Sequence, residues 1–307
     1  MLPSRSGFDK AWQMEPLPTA HDGRNLMSVN GPNKTASQAA AVQGRNGKAL
    51  VAIVTIVDEE FEAVKSMGGF DELAGNTAYL ARAPVGWDVD VILAKSADRG
   101  NQACIGLVRD IVEHYRPEFI VLSGIAGGMG GRDGIGLGDV VVADLVENYE
   151  MQKLVDGRIR YRKVAFDQPS IYLRDTIAQR VRTRARWHER IVVARPEAGV
   201  PKTIFGNLIA GDKVLGDGEN KYQAEILEAY DRAVAVDMES SGLARGVFDA
   251  RGTRHYNLHY LVVRGISDLV GAKNNDVMRK EWRDYAAASA AAFALCVADE
   301  LVAQCKT

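Results

Sequence analysis

From Ala49 onward, short apolar runs alternate with stretches whose apolar residues have helical spacing. The first run, ALVAIVTIV over residues 49–57, is continuous and rich in β-branched side chains, which is typical of a strand buried on both faces. The acidic triplet at 58–60 then begins a predicted helix that extends to about Met67, because acidic side chains stabilise the positive end of a helix. The pattern predicts a buried strand followed directly by a helix.

The same alternation continues to the end of the chain. It predicts further strands at residues 78–83, 87–95, 119–123, 139–147, 191–194, 203–210, 233–236 and 260–265. It predicts further helices at residues 101–115, 171–185, 222–229, 239–250 and from about 277 to 304. Strands that alternate with helices indicate an α/β fold, a single domain with a mixed, mostly parallel central sheet flanked by helices.

The first 47 residues have a different character. Four of the nine prolines fall here, with Ser, Asn, Gln and Gly between them and no apolar period. Such a segment buries too little surface to offset the entropy lost on ordering. We therefore expect a disordered, flexible tail over residues 1–47, in which the pattern allows a short helix near Ser37–Val42, and one folded domain over residues 48–307.

Composition narrows the class of protein. The 307 residues include 38 basic and 40 acidic side chains, so the net charge of −2 creates no overall field that would attract nucleic acid or an anionic membrane. The three cysteines are too few for a disulfide framework or a zinc site. The longest apolar run, residues 286–298, is too short to cross a membrane, and the N-terminus lacks a secretory apolar segment. We expect a soluble, cytoplasmic protein with no nucleic-acid or membrane partner.

Carboxylates or glycines follow five of the predicted buried strands. They are Asp58-Glu59-Glu60, the glycine-rich 124–131, Gly211-Asp212-Lys213, Asp237-Met238-Glu239 and Ile266-Ser267-Asp268. Each group alone has a structural explanation as a helix cap, a charge at a helix terminus or a tight turn. Ligands of open α/β sheets, however, bind at the carboxyl ends of the strands, where all five groups would meet. Their convergence points to a functional site.

Several common kinds of site are excluded. The glycine-rich stretch 124–138 has neither the dinucleotide-binding pattern nor the P-loop pattern. The segment 265–267 lacks the closing glycine of a nucleophile elbow. The five histidines form no H-E-x-x-H pattern, and none follows a predicted strand. We therefore expect neither a metal nor a cofactor.

Five segments, in this order and spacing, resemble the nucleoside phosphorylase/nucleosidase superfamily. They are VAIVTIVDEE (51–60), LSGIAGG (122–128) with LGDVVVAD (137–144), AGDKVL (210–215), VDMES (236–240) and VVRGISD (262–268). The set is most similar to the methylthioadenosine/S-adenosylhomocysteine nucleosidase branch. The resemblance implies a phosphorylase/hydrolase-like catalytic domain that cleaves the N-ribosidic bond of a purine nucleoside or nucleotide, with adenine the expected base, and that forms a homo-oligomer.

The resemblance also assigns roles to particular residues. Asp268 matches the acid that protonates N7 of the leaving purine, and Glu60 matches the base that activates water. Glu239 would accept hydrogen bonds from the ribose 2′- and 3′-hydroxyls, and Met238 would pack under the ribose. The other implied substrate-binding residues are Ile125, Ala126, Gly127, Val214, Leu215, Asp237 and Ser267, with the backbone at 214–215 against the purine.

The nucleophile can be predicted from three positions. Phosphorylases of this superfamily bind phosphate with an arginine and a serine where this chain has Leu122 and Ile125, and a buried phosphate without donors is costly. They also lack a carboxylate at the position of Glu60, where it would repel the incoming anion. These differences favour water. A phosphate-dependent purine nucleoside phosphorylase and a catalytically silent nucleotide-sensing domain stay open as alternatives.

Ten arginines lie in residues 150–196, which is a high density. A solvated helix face is the favoured interpretation, because alternating arginines cannot all face one site. The other interpretation is a phosphate-binding patch for a nucleotide substrate. It would fit a second similarity of this chain, to phosphorylase-like domains that deplete nucleotides in bacterial defence.

Overall fold

A mixed sheet organises the part of the chain that the computed structural model describes, residues 49–73, 76–82, 89–216, 219–252 and 256–304. The strands are β1 Ala49–Thr55, β2 Asp71–Leu73, β3 Asn76–Arg82, β4 Val89–Lys95, β5 Phe119–Gly128, β6 Val140–Asn148, β7 Gln152–Val155, β8 Arg158–Tyr161, β9 Thr203–Ala210, β10 Ala233–Asp237 and β11 His259–Leu269. Strands β7 and β8 form a separate hairpin, and the other nine form one sheet in the order β10-β9-β6-β11-β5-β1-β4-β3-β2.

The middle of this sheet is parallel and partly closed on itself. Strand β1 pairs in parallel with β4 and β5, and β5 pairs in parallel with β11. Antiparallel pairs join β6 to β11 and β3 to β4. Strand β10 pairs with β9 and also with β5, so β5, β11, β6, β9 and β10 form a closed ring. The ring brings the ends of β5, β10 and β11 close together.

Helices cover both faces of the sheet. They are α1 Asp58–Gly68, α2 Asn101–Tyr115, α3 Gln179–Arg184, α4 Lys221–Ala229, α5 Ser240–Ala250 and α6 Asn275–Gln304, with a π-helical segment Tyr172–Ala178 before α3 and a 3₁₀ helix Trp187–Arg190 after it. Along β1, Val51 and Ile53 pack in the core that contains α1 and α6, whereas Ala52 and Val54 pack in the core that contains α2 and α5. Because strand side chains alternate between faces, the continuous apolar run is buried on both sides. The predicted fold class is confirmed.

Helix α6 is a core element of this fold. Its length and composition would suffice for a membrane span, but 78% of its most apolar window is buried inside the protein. It lies so close to β11 that a Cβ added at Gly265 would be 1.9 Å from the carbonyl oxygen of Ala286. The alanine-rich sequence of α6 therefore serves close packing against the sheet.

Three local predictions were wrong or incomplete. Residues 191–194 are not a strand, since they follow the 3₁₀ helix without a pairing partner and Val192 is 72% exposed. The predicted helix 171–185 begins with π-helical turns and ends at Arg184. Strands β2, β7 and β8 were not predicted, because they are short and lie at the edge of the sheet or outside it.

Strands β5 and β11 extend beyond their predicted ends. The register continues to the pair Leu269–Gly128 across a bulge between Ile266 and Asp268. The glycine-rich sequence after Ser123 therefore continues a strand instead of forming a loop. The predicted tail over residues 1–47, its short helix near 37–42, and residues 83, 87 and 88 of two predicted strands lie outside the described residues.

The contact between β11 and α6 predicts the effect of one added methyl group. Gly265→Ala should lower the free energy of unfolding by about 1–3 kcal/mol, because the new Cβ meets backbone that cannot move aside. Gly106→Ala in α2 is the matched control. There nothing lies within 4 Å of the new Cβ, so the change should stabilise the protein by about 0.5–1 kcal/mol. Urea unfolding of both variants checks this, and a Gly265→Ala protein as stable as the parent would contradict the close packing.

Candidate active site

A cavity of about 190 Å³ opens where β1, β5, β10 and β11 end. All of the residues singled out from the sequence as catalytic or substrate-binding line it: Glu60, Ile125, Ala126, Gly127, Val214, Leu215, Asp237, Met238, Glu239, Ser267 and Asp268. They come from five separate parts of the chain. The sheet brings them together at one edge, as expected for a site at the carboxyl ends of strands.

Arg264, which sequence analysis did not single out, is the charged centre beneath this cavity. Its side chain is fully buried on β11. Nε donates a hydrogen bond to Oδ2 of Asp237 at 2.6 Å, and Nη2 donates to Oε2 of Glu239 at 3.3 Å. Nη1 lies 4.0 Å from Oε1 of Glu60. One guanidinium therefore faces three carboxylates, which compensates for the cost of burying them together.

Glu60 is held by backbone N–H groups from two strand ends. Its Oε2 accepts hydrogen bonds from the N–H of Ile56 at 2.8 Å and of Val57 at 3.2 Å. Its Oε1 accepts from the N–H of Ile125 at 2.9 Å. Burial raises the pKa of Glu60, and Arg264 together with the three N–H groups opposes that rise. The result is a fixed, buried carboxylate, which is the kind of group that can act as a base.

Glu239 lies at the start of α5 and is anchored on both oxygens. Oε1 accepts a hydrogen bond from the N–H of Gly100 at 3.1 Å, and Oε2 accepts from Arg264. Burial raises the pKa of Glu239 to about 7, against the opposing charge of Arg264. This carboxylate lines the cavity and has lone pairs left for a ligand hydroxyl.

Asp237 was predicted to bind the substrate, but its oxygens are occupied by protein groups. Oδ1 accepts hydrogen bonds from the N–H of Glu239 and of Ser240, at 3.3 and 3.1 Å. Oδ2 accepts from the Ser240 hydroxyl and from Arg264. Asp237 therefore fixes Arg264 and the first turn of α5. The geometry leaves it a positioning role instead of a direct contact.

Asp268 occupies another wall of the cavity, near the end of β11. Oδ1 accepts hydrogen bonds from the Ser267 hydroxyl at 2.7 Å and from Nε of Arg279 at 3.2 Å. Oδ2 accepts from Nδ2 of Asn275 at 2.7 Å and from Nη2 of Arg279 at 3.0 Å. Ser267 and Asn275 are buried, whereas the Arg279 side chain is 30% exposed. Arg279 is thus the partner best able to move when a ligand enters.

The remaining walls are apolar or formed by backbone. Ile125, Ala126 and Gly127 belong to β5, and Met238 lies between the two acidic residues of the β10–α5 junction. Leu215 is buried, whereas Val214 is 60% exposed at the mouth of the cavity. A flat apolar ring and a polar sugar can both be accommodated by these walls, because apolar and charged surfaces face the same space.

Four cationic side chains of the described residues line the cavity, and sequence analysis had assigned a role to none of them: Arg99, Lys213, Arg279 and Arg283. The ten arginines of residues 150–196 are all described, and none lines it. Several of those arginines form ion pairs elsewhere, as Arg180 does with Glu300 and Arg190 with Asp299. This segment therefore supplies no cation to the cavity, and none of its ten arginines is buried, which fits the favoured interpretation of a solvated surface.

Arg264 could have been found from the sequence, whereas Arg279 could not. Arg264 is a lone charge within the apolar strand sequence YLVVRGI, and such a charge must be paired to be buried. Arg279 gives no such signal, because it belongs to an ordinary charged helix start. Within the described ranges, no group of three or more His, Cys, Asp or Glu side chains is arranged to hold a metal ion.

The fold and the cavity together define an α/β protein with several buried carboxylates at the carboxyl ends of its strands, a site for acid–base chemistry on a small ligand. The sequence profile of the Phosphorylase superfamily matches residues 51–301, and the chain belongs to this superfamily. The family predicted from the five segments is thereby confirmed.

Individual relatives fit the same assignment. The chain is 25% identical, over 71% of its length and 86% of the relative, to 5'-methylthioadenosine/S-adenosylhomocysteine nucleosidase of Listeria monocytogenes. It is 23% identical, over 67% of its length and 39% of the relative, to a death domain-containing ATP nucleosidase of Amphimedon queenslandica. A putative methylthioadenosine/S-adenosylhomocysteine nucleosidase of Borrelia burgdorferi, solved with adenine, shares the fold with a TM-score of 0.63 at 18% identity, covering 83% of this chain and all of that one.

The raised pKa of Glu239 predicts a pH dependence of stability. Between about 4.5, its ordinary value, and about 7, the native state holds a proton that the unfolded state has released. The free energy of unfolding should therefore fall as pH rises through this interval. Glu239→Gln removes this contribution, so its pH profile should be flatter than that of the parent by about 1–3 kcal/mol over the interval. Urea unfolding at a series of pH values measures both slopes, and identical slopes would contradict the assigned burial cost.

Proposed function

We propose that this chain is a nucleosidase, an N-glycosyl hydrolase that cleaves the N-ribosidic bond of an adenine nucleoside or nucleotide with water as the nucleophile. One observation favours water over phosphate as the nucleophile. The carboxylate of Glu60 occupies the backbone N–H groups of Ile56, Val57 and Ile125, the donors with which this corner of the cavity could bind an anion.

Departure of the base requires a proton on the purine. As the bond breaks, negative charge develops on the purine ring, and a carboxylic acid beside N7 can neutralise it. Asp268 lines the cavity with its hydroxyl partner Ser267 and fits this role. Both oxygens of Asp268 accept hydrogen bonds, so one donor must move away before the carboxyl group has room for the proton. We assign that step to movement of Arg279, the partly exposed partner of Asp268.

The sugar develops positive charge, and it must be held and then attacked. Glu239, fixed by Gly100 and Arg264, accepts hydrogen bonds from the ribose 2′- and 3′-hydroxyls. Met238 packs under the ribose ring. Glu60 takes a proton from the attacking water, and its raised pKa makes it a stronger base than an exposed glutamate. The three carboxylates also surround the cationic sugar with negative charge.

Phosphorolysis is less well supported by the same groups. The side chains of Leu122, fully buried in β5, and of Ile125 are apolar, so neither side chain donates a hydrogen bond to phosphate. Incoming phosphate would also meet the fixed carboxylate of Glu60 at close range, where like charges repel strongly. The relatives named as nucleosidases agree with hydrolysis.

The domain organisation, cellular location and oligomeric state are also part of the proposal. We propose that residues 48–307 form the catalytic domain, that residues 1–47 form a flexible tail, and that the protein acts in the cytoplasm. We also propose a homo-oligomer. The basis is the resemblance to the nucleoside phosphorylase/nucleosidase superfamily, which implies such an assembly.

Two substitutions test the assigned acid and base. Asp268→Asn and Glu60→Gln should each lower kcat for adenine release by at least ~10²-fold, because an amide cannot deliver or take the proton. Glu62→Gln is the matched control, since Glu62 is 63% exposed on the same helix as Glu60, and it should retain the parent rate.

Adenine binding distinguishes lost chemistry from lost structure in these variants. Calorimetry should show that Asp268→Asn and Glu60→Gln still bind adenine. Near-parent turnover in either variant would remove that residue from the mechanism. Failure of the parent protein to release base from any purine nucleoside or nucleotide would overturn the proposed function.

A further inference from the structure

We infer that the substrate carries an anionic group at the 5′ end of its ribose, a purine nucleoside 5′-phosphate, and that Arg99 and Arg283 recognise this group. The inference rests on the proposed function, because it takes the ribose to lie over Glu239 and Glu60. Arg99 and Arg283 would determine substrate specificity, and neither has a role in the mechanism above.

Both arginines line the cavity and adjoin chain segments that hold the residues assigned to the sugar. Arg99 immediately precedes Gly100, whose N–H holds Oε1 of Glu239, so it lies beside the carboxylate assigned to the ribose hydroxyls. Arg283 forms an ion pair with Glu59, the chain neighbour of Glu60, at 2.9 Å. Arg99 comes from the loop before α2, and Arg283 comes from α6. Two different elements thus bring a guanidinium to the cavity wall, near the segments that carry Glu239 and Glu60.

The other two cations of the cavity are already engaged by protein groups. Arg279 binds both oxygens of Asp268. Lys213 pairs with Oε2 of Glu150 at 2.5 Å and lies 5.8 Å from the ring centroid of Tyr222. These contacts leave Arg99 and Arg283 as the cations available to a group on the sugar.

Both arginines have N–H groups that form no hydrogen bond with the described residues. Among the described residues, the Arg99 guanidinium has no carboxylate within ion-pair distance, although it is exposed at the cavity wall. Nε of Arg283 is buried without a hydrogen bond, and Oδ1 of Asp284 lies 3.9 Å away. A neutral thioether or hydroxyl at the ribose 5′ carbon would leave these donors unmatched. Phosphate oxygens would satisfy them, since guanidinium and phosphate form paired, charge-assisted hydrogen bonds.

The ion pair between Arg283 and Glu59 must open for this to happen. It is partly exposed, with 41% of the arginine side chain and 30% of the glutamate side chain in contact with solvent. Exposed pairs of this kind are weak, so a dianionic phosphate inside the cavity is the stronger partner for Arg283. Glu59 then turns to solvent, which also removes its repulsion of the phosphate.

The test compares adenosine, methylthioadenosine and AMP as substrates of the parent, Arg99→Met, Arg283→Met and the double variant. The parent should have a kcat/KM for AMP at least ~10-fold above that for either neutral nucleoside, and the advantage should shrink at high salt. In the double variant the ratio of AMP to adenosine should fall by at least ~10-fold. Arg245→Met is the matched control, because Arg245 is a half-exposed arginine on α5 that pairs with Asp249 away from the cavity, and its ratio should match the parent's.

Inorganic phosphate separates recognition of a substrate group from use of phosphate as a co-substrate. Added phosphate should compete with AMP and should not accelerate cleavage of adenosine. Acceleration would overturn the inference, since the arginines would then serve the nucleophile. A preference for methylthioadenosine, or an AMP-to-adenosine ratio unchanged in the double variant, would also overturn it while leaving the nucleosidase intact.

Equilibrium binding tests phosphate recognition by the two arginines even if no substrate is cleaved. Calorimetry with AMP and adenosine should then show a preference of the parent for AMP that the double variant lacks. Equal affinities in the parent would count against the two arginines as a phosphate site, independently of any catalytic failure.

Discussion

The buried guanidinium of Arg264 is the constraint on which the site depends. It lies at the centre of the sheet and faces Asp237, Glu239 and Glu60 at distances from 2.6 to 4.0 Å. Three carboxylates in one low-dielectric space would repel each other strongly without it, and removing one partner of a buried ion pair typically costs about 3–5 kcal/mol. The architecture around β5, β10 and β11 can be understood as the means of holding this charge in place.

The same arrangement divides the carboxylates by function. Asp237 is fully committed to Arg264 and to the start of α5, and it fixes the geometry. Glu60 and Glu239 receive only part of the compensation, so burial still raises the pKa of both. Groups in this condition can take a proton or accept a ligand hydroxyl, which is the chemistry that cleavage of a ribosidic bond requires. Structural and reactive carboxylates thus share one counter-ion.

The sequence allowed the sheet edge to be predicted better than the interactions within it. Strand periodicity and the residues after each strand placed Glu60, Glu239 and Asp268 at one cavity, because parallel strands bring their carboxyl ends together. The pairing of Asp268 with Arg279 could not be predicted from the sequence, since it depends on how α6 packs across β11. The arginine density of residues 150–196 did not locate the site, because local composition does not reveal which side chains reach the cavity. The strand predicted at 191–194 failed because β propensity requires a neighbouring strand.

In the proposed mechanism Asp268 protonates the base, and Glu60 directs water, and not phosphate, to the sugar. The most direct test follows cleavage of a purine nucleoside in phosphate buffer by ³¹P NMR while release of the base is recorded. Hydrolysis predicts that the inorganic phosphate signal stays constant as the base accumulates. The appearance of a sugar 1-phosphate signal in step with base release would show that phosphate, and not water, attacks the sugar.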